Sequence, residues 1–187
     1  MKKILFTTFI LIAICVPAGA YVADKVSMKY DANSTDVVAA PIPGACAVVL
    51  VHAADIRPNK VSIGNEYRPI LSGDPGPWVD AALDDLARYG YTVKHAESFK
   101  PEAGAIVLRP ELFRSYTWHA QLRINSMVAM NVEFITPAGK SLKKKYRASG
   151  SKNNWAGGTE EYMTVLNYAM NSNVSKLAHD MVKLCGS

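Results

Sequence analysis

The chain has little of what most enzyme chemistry needs in clusters. It holds 3 cysteines and 4 histidines in 187 residues, and none of the histidines, His52, His95, His119 and His179, sits in a recognisable catalytic context. The patterns G-x-S-x-G, H-E-x-x-H, G-x-x-x-x-G-K and C-x-x-C are absent. That removes the sequence support for a nucleophile elbow, a zinc protease site, a phosphate loop and a redox dithiol. The reading is therefore a non-catalytic protein, with no catalytic residue, no metal ligand and no cofactor assigned. A strong charge excess is missing too. The formal net charge is +5, and part of it comes from Lys2 and Lys3 at the N-terminus, so no nucleic-acid partner is expected. After the first twenty residues no stretch approaches the length of apolar run that spans a bilayer.

What is there begins with MKKILFTTFILIAICVPAGA. Lys2 and Lys3 form a basic start, Ile4 to Val16 an apolar run, and Ala18 and Ala20 the small residues at −3 and −1 of a cleavage site, so residues 1–20 read as a secretory signal and the exported chain starts at Tyr21. Such a run reaches only about 20 Å as a helix, short of the roughly 30 Å hydrocarbon core. Cys15 sits where a lipoprotein signal places its acylated cysteine, but Ile14 precedes it where a small residue is needed, so lipidation at Cys15 is not expected. The expected location is the periplasm, with peripheral attachment to the outer membrane as the variant.

Export leaves two cysteines, Cys46 and Cys185, and an even count in an oxidising compartment points to a disulfide. Two separate buried thiols, or one exposed thiol paired with a partner, are the alternatives. Closed within the chain, the bond would constrain a loop long enough for an entropic stabilisation of about 4 to 5 kcal/mol.

Hydrophobic spacing organises the rest. Residues 21–44 read as an N-terminal strand and linker, with Val26, Met28 and Tyr30 alternating against polar neighbours, and residues 45–187 as one α+β domain. ACAVVLV, Ala45 to Val51, is a continuous β-branched run suited to a strand buried on both faces. After Pro77, the residues Trp78, Val79, Ala82, Leu83 and Leu86 trace a helix stripe that Gly90 stops, and Tyr91 starts the next strand at once. The second half reads as an antiparallel meander. Two extended pieces are split by Pro110, a long strand runs from Ile124 to Phe134, Pro137 to Lys140 turn the chain, and Leu142 to Ala148 return. Ser149 to Gly158 reads as a polar loop. A long helix follows from an N-cap at Thr159, with a stripe of Tyr162, Leu166, Ala169, Leu177, Met181 and Leu184. Its middle, Asn167, Asn171, Ser172 and Asn173, is polar, which predicts a bend or a departure from the sheet. The predicted architecture is a mixed or antiparallel sheet with a strand-helix-strand unit, a β-meander and a long C-terminal helix packed on it.

Three side-chain groups are candidates for function. His52 with Asp55 and Arg57 could tune a general base and is the basis of the small-hydrolase alternative. Tyr116, Trp118 and His119 could cradle an apolar or sugar ligand, which would suit a lipid- or glycan-binding carrier. Alternation puts Lys143, Lys145 and Arg147 on one strand face, where they would meet an acidic protein surface or an anionic lipid surface.

The helix end DLARYGYTV, the hairpin TPAGKSLKKKYRASGS and the helix TEEYMTVLNYAMNSNVSKLAHDM together resemble the YajG-like family of bacterial envelope lipoproteins, over roughly Val26 to Met181. In outline the chain is also similar to auxiliary lipoproteins of envelope transport systems. The resemblance implies an α+β domain in the periplasm, usually tethered to the outer membrane, and it supplies no catalytic residue. The expected function is an exported accessory or binding protein of the cell envelope that acts on an envelope protein partner.

Overall fold

The computed structural model describes residues 24–35, 37–64, 70–153, 158 and 160–186. The proposed signal segment with Cys15, Ala18, Ala20 and Tyr21, together with Trp155 and the Thr159 cap, lies outside the described residues. Eight strands and two α-helices follow in the order β1 (Asp24–Val26), β2 (Ala47–Val51), β3 (Ala54–Asp55), β4 (Ile70–Ser72), α1 (Gly76–Asp84), β5 (Thr92–Ala96), β6 (Ala105–Ala120), β7 (Arg123–Ile135), β8 (Ser141–Asn153) and α2 (Glu160–Cys185). The main sheet has the order β5-β2-β6-β7-β8, with β3 beside β6. β2 runs parallel to both β5 and β6, while β6, β7 and β8 are antiparallel. This is the mixed α+β sheet that the spacing predicts, with β2-α1-β5 as the strand-helix-strand unit.

β2 lies between two parallel neighbours, so Val48, Val49 and Leu50 are buried and a run without alternation is tolerated there. α1 lays Trp78, Val79, Ala82 and Leu83 into the core, continues as a 3-10 turn over Asp85–Tyr89, and ends at Gly90 with φ 92°. A Cβ is disfavoured at that angle, which is why glycine stands there.

Several local expectations need correction. Pro110 does not split the strand: β6 is continuous from Ala105 to Ala120. Leu112 C=O accepts Ile56 N–H on the β3 side, so by alternation Pro110 N faces that same side. There it meets the seam between β2, which pairs only through Leu108, and β3, which pairs from Glu111. A missing N–H is harmless at such a seam. The first strand is Asp24–Val26, paired in parallel with β4, and residues 27–30 are not strand. β8 extends to Asn153, into the predicted loop.

The polar middle of α2 is also not where the helix leaves the sheet. Asn167, Asn171 and Asn173 are buried, and each is bonded. Asn167 accepts the Trp78 indole N–H at 2.8 Å and donates to Lys29 C=O at 3.1 Å. Asn171 donates to the carbonyls of Asp31 and Ser34 and accepts from the Tyr30 hydroxyl. Asn173 donates to Val128 C=O at 3.1 Å. A side-chain amide can satisfy backbone groups of a segment that has no sheet partner. Asn167 and Asn171 therefore fasten residues 29–34 along the helix, and Asn173 ties the helix to β7.

α2 approaches β8 most closely at Gly150. A Cβ built there would lie 2.2 Å from Val165 C=O and 2.8 Å from Tyr168 Cβ, while Ser126 Oγ bonds the same Val165 carbonyl at 2.5 Å. Gly150→Ala should force the helix off the sheet and lower the unfolding free energy by about 3 kcal/mol. Urea unfolding tests this, and an unchanged midpoint would contradict it. At the other end of α2, Tyr91 Oη donates to Ala178 C=O at 2.5 Å, and burial pushes its hydroxyl pKa up to about 12. Cys46, just before β2, and Cys185, the last residue of α2, are joined with Cα atoms 5.7 Å apart.

Candidate functional site

α1 and α2 cover one face of the sheet, and the opposite face of β6, β7 and β8 carries no helix among the described residues. Register gives its rows directly. Arg109, Glu133 and Lys143 form one row, Glu111, Asn131 and Lys145 the next, then Arg114, Ala129 and Arg147, then Tyr116, Met127 and Ser149, then Trp118, Asn125 and Ser151. The shift between Leu112 and Arg114 is a bulge that takes up Phe113. It restores Arg114 and Tyr116 to the open face after Glu111, where strict alternation would have turned them inward.

The side chains on this face sort by partner. Lys143 bonds Glu111 at 2.7 Å, and Arg109 pairs with Glu133 while its guanidinium lies 4.6 Å over the Phe99 ring. Lys145 sits 4.9 Å over Phe113, and Arg114 sits 5.8 Å over Tyr116. Arg147, Lys145 and Arg114 have no carboxylate partner among the described residues. Ala129 and Met127 are nonetheless buried. Their register neighbours are Arg114 and Arg147 for Ala129 and Tyr116 for Met127, long side chains whose stems can cover apolar surface while their polar ends stay in water. The row Arg114, Ala129, Arg147 thus places two arginines on backbones about 10 Å apart, two strand spacings, across a small residue. Tyr116 and Trp118 stack at 5.2 Å and 29° beside it.

The other candidate groups come apart. His119 falls on the helix-covered face and bonds Tyr162 Oη at 2.6 Å, away from the Tyr116–Trp118 pair, so the aromatic trio is a pair. His52 and Asp55 do not form a dyad. His52 Nδ1 meets Asp80 at 2.9 Å, and Asp80 also accepts Ala53 N–H. That hydrogen bond raises the His52 pKa above its ordinary value. Asp55 holds Arg57 through Nε and Nη2 at 2.9 and 3.0 Å. Burial pushes the Asp55 carboxyl up, but the bonds and charge of Arg57 outweigh it and leave the carboxyl below the usual range. Lys144 and Lys152 turn to the helix side, to Asp180 and Glu161.

A carrier for lipid or glycan would need a cavity between helix and sheet. Met170, Val174, Leu177 and Met181 from α2 and Val128, Met130, Val132 and Phe134 from β7 fill that interface with no exposed surface. Sequence reasoning missed the burial of Arg57, which is 3% exposed. An arginine in the polar context RPNK gives no signal of burial until the fold closes over it.

No protein-family model and no curated protein matches the chain. Solved structures do. Protein XCC0632 of Xanthomonas campestris, a DUF330 protein, is similar with a TM-score of 0.56 and 9% identity over 87% of this chain and 96% of that one. Hypothetical protein CT253 of Chlamydia trachomatis is similar with a TM-score of 0.50 and 10% identity over 75% and 98%. Lipoprotein GNA1162 of Neisseria meningitidis has a TM-score of 0.38 and 14% identity over 73% and 98%. The first two share the fold of nearly their whole chains with this protein, and at such identities the likeness speaks for fold alone. The architecture implied by the YajG-like resemblance is present, and none of these three carries that narrower name.

Proposed function

We propose that this is an exported, non-catalytic accessory protein of the bacterial cell envelope, of YajG-like kind, whose open sheet face docks an acidic surface of an envelope protein. The observation that carries the reading is the row Arg114, Ala129, Arg147, with Lys145 alongside. Three cations without carboxylate partners among the described residues lie there on a rigid, three-stranded platform next to a stacked Tyr116–Trp118 pair. Arginine and aromatic side chains on a fixed surface are the groups that dominate binding energy at protein interfaces. The unpaired charge would speed association with an acidic partner. The leader segment and the two-cysteine complement are consistent with export. The stacked aromatic pair also favours a second reading, in which the same face holds an anionic glycan.

The test is crosslinking and capture from the periplasm with the wild-type chain and with Lys145→Glu/Arg147→Glu. Both positions are exposed, so the double variant should stay within about 0.5 kcal/mol of wild type per site. It should also lose the captured protein. Equal capture by the variant, or capture insensitive to salt, would remove the open face from the function. Retention on glycan beads but not on the protein partner would select the second reading.

A further inference from the structure

β6 is covered unevenly along the edge that faces away from β7. β2 pairs with it as far as Leu108 and β3 at Glu111 and Leu112, and Ile63 C=O accepts Thr117 N–H at 2.6 Å. Between those contacts residues 57–62 arch away from Phe113 to Tyr116. The arch is held by its own bonds: Asn59 accepts the amides of Val61 and Ser62, and Ser62 Oγ accepts those of Gly64 and Ile70. Under it lies a cleft of about 190 Å³ lined by Arg57, Asn59, Ser62, Arg114, Ser115 and Tyr116 among others.

Two of these lining residues carry buried polar atoms with no partner. Arg57 is spoken for on one edge only: Nε and Nη2 hold Asp55, and Nη2 also reaches Lys60 C=O at 3.3 Å. Its Nη1, with two N–H donors, has no hydrogen-bond partner among the described residues, and neither does Ser115 Oγ. Arg57 and Ser115 are 3% and 4% exposed. Buried donors left unmatched are rare in folded proteins, and where two of them line one cleft a ligand acceptor is the economical account. Asp55 cancels the charge of Arg57 and fixes its plane. Arg114 at the mouth and Lys60 in the arch tip the local balance back to positive. Phe113 and Tyr116 supply an apolar wall.

We propose that this cleft binds an oxyanion, the carboxylate or phosphate group of a small molecule, accepted by Arg57 Nη1 and Ser115 Oγ and neutralised by Arg114. A planar guanidinium whose remaining edge is free suits such a group, and Nη1 offers it directional bonds that a lysine could not. The cleft is smaller than the roughly 300 Å³ at which sites for drug-sized ligands begin, so it takes the charged end of a molecule and leaves the rest outside against Tyr116. Nη1 and Ser115 Oγ are both closed to water, so the proposed binding requires the side chains lining the cleft to shift before an oxyanion reaches them. The site is separate from the docking reading of the open face, although Arg114 and Tyr116 border both.

The experiment is an NMR titration of the purified exported chain with sodium phosphate, sodium acetate and sodium benzoate at constant ionic strength. The Arg57 Nε–H and the amides from Phe113 to Tyr116 should shift together and saturate. Phosphate binding more tightly than acetate identifies a phosphate ligand. Benzoate binding more tightly than acetate identifies a carboxylate on an apolar body. Arg114→Gln should weaken the tightest of the three about tenfold, and Ser115→Ala should weaken it as well, with both spectra otherwise preserved. Those two variants decide the matter, because Arg57→Lys also breaks the pair with Asp55 and can unfold the arch. Non-saturating shifts spread over Lys145 and Arg147, or saturation unchanged in both deciding variants, would overturn the site. Either result would leave the periplasmic capture experiment standing.

Discussion

Trp78→Ala should lower the unfolding free energy by about 4 kcal/mol, in the range for emptying a large aromatic site. Trp78 is 1% exposed, and it is where α1, α2 and the N-terminal segment meet. Its indole N–H is the donor to Asn167 of α2, whose own amide reaches Lys29 C=O. Truncation therefore leaves a cavity and a buried acceptor without a donor. Trp78→Phe separates the two effects, since it keeps most of the volume and loses only the bond, and should cost about 1 to 2 kcal/mol. Urea unfolding at matched m-value reads both. A Trp78→Ala midpoint no lower than that of Trp78→Phe would show that packing at this site is not what holds the helix pair together.

Cys185→Ser should cost about 4 kcal/mol on the chain-entropy account, because the bond to Cys46 closes a loop of sequence separation 139. The Cα separation of 5.7 Å is within the range a disulfide spans without backbone movement. The local effect should be uneven. The first half of α2 is tied down by its asparagines and by Ser126, whereas its last turn has Leu184 and Cys185 only partly buried. Hydrogen exchange in the variant should accelerate first near the end of the helix. Equal mobility on reducing and non-reducing gels, with both thiols alkylated in the folded protein, would rule the bond out in the cell.

The parts of this fold that could be read in advance are those where one residue type answers one local demand. The Trp78-to-Leu86 stripe, the left-handed Gly90 and the alternation through Lys143, Lys145 and Arg147 each follow from the chain's immediate neighbourhood. What was misread depends on partners far away in sequence. Asn167, Asn171 and Asn173 look like a solvated patch until residues 29–34 arrive to bond the first two and β7 to bond the third. Pro110 looks like a break unless the seam between β2 and β3 is known. The bulge at Phe113 changes which residues share a face, and no spacing rule announces it, so the open face gains Arg114 and Tyr116 in a row that counting by twos would not assemble. Arg57 hides for the same reason: its burial is made by an arch and a strand edge fifty residues apart in the chain.

The placement of α2 also sets an order of events. It comes after every other described element in chain order, yet it supplies one wall of the core, the acceptors for Trp78 and Tyr91 and one half of the disulfide. Until α2 emerges, the apolar side of β6, β7 and β8 lacks its helix cover among the described residues, and the strands cannot complete their fold as they are made. Cys46, meanwhile, has no other cysteine within the described residues to pair with wrongly. The nascent chain is exposed to aggregation until α2 has been made. A helper that shields apolar sheet surface would accelerate its maturation.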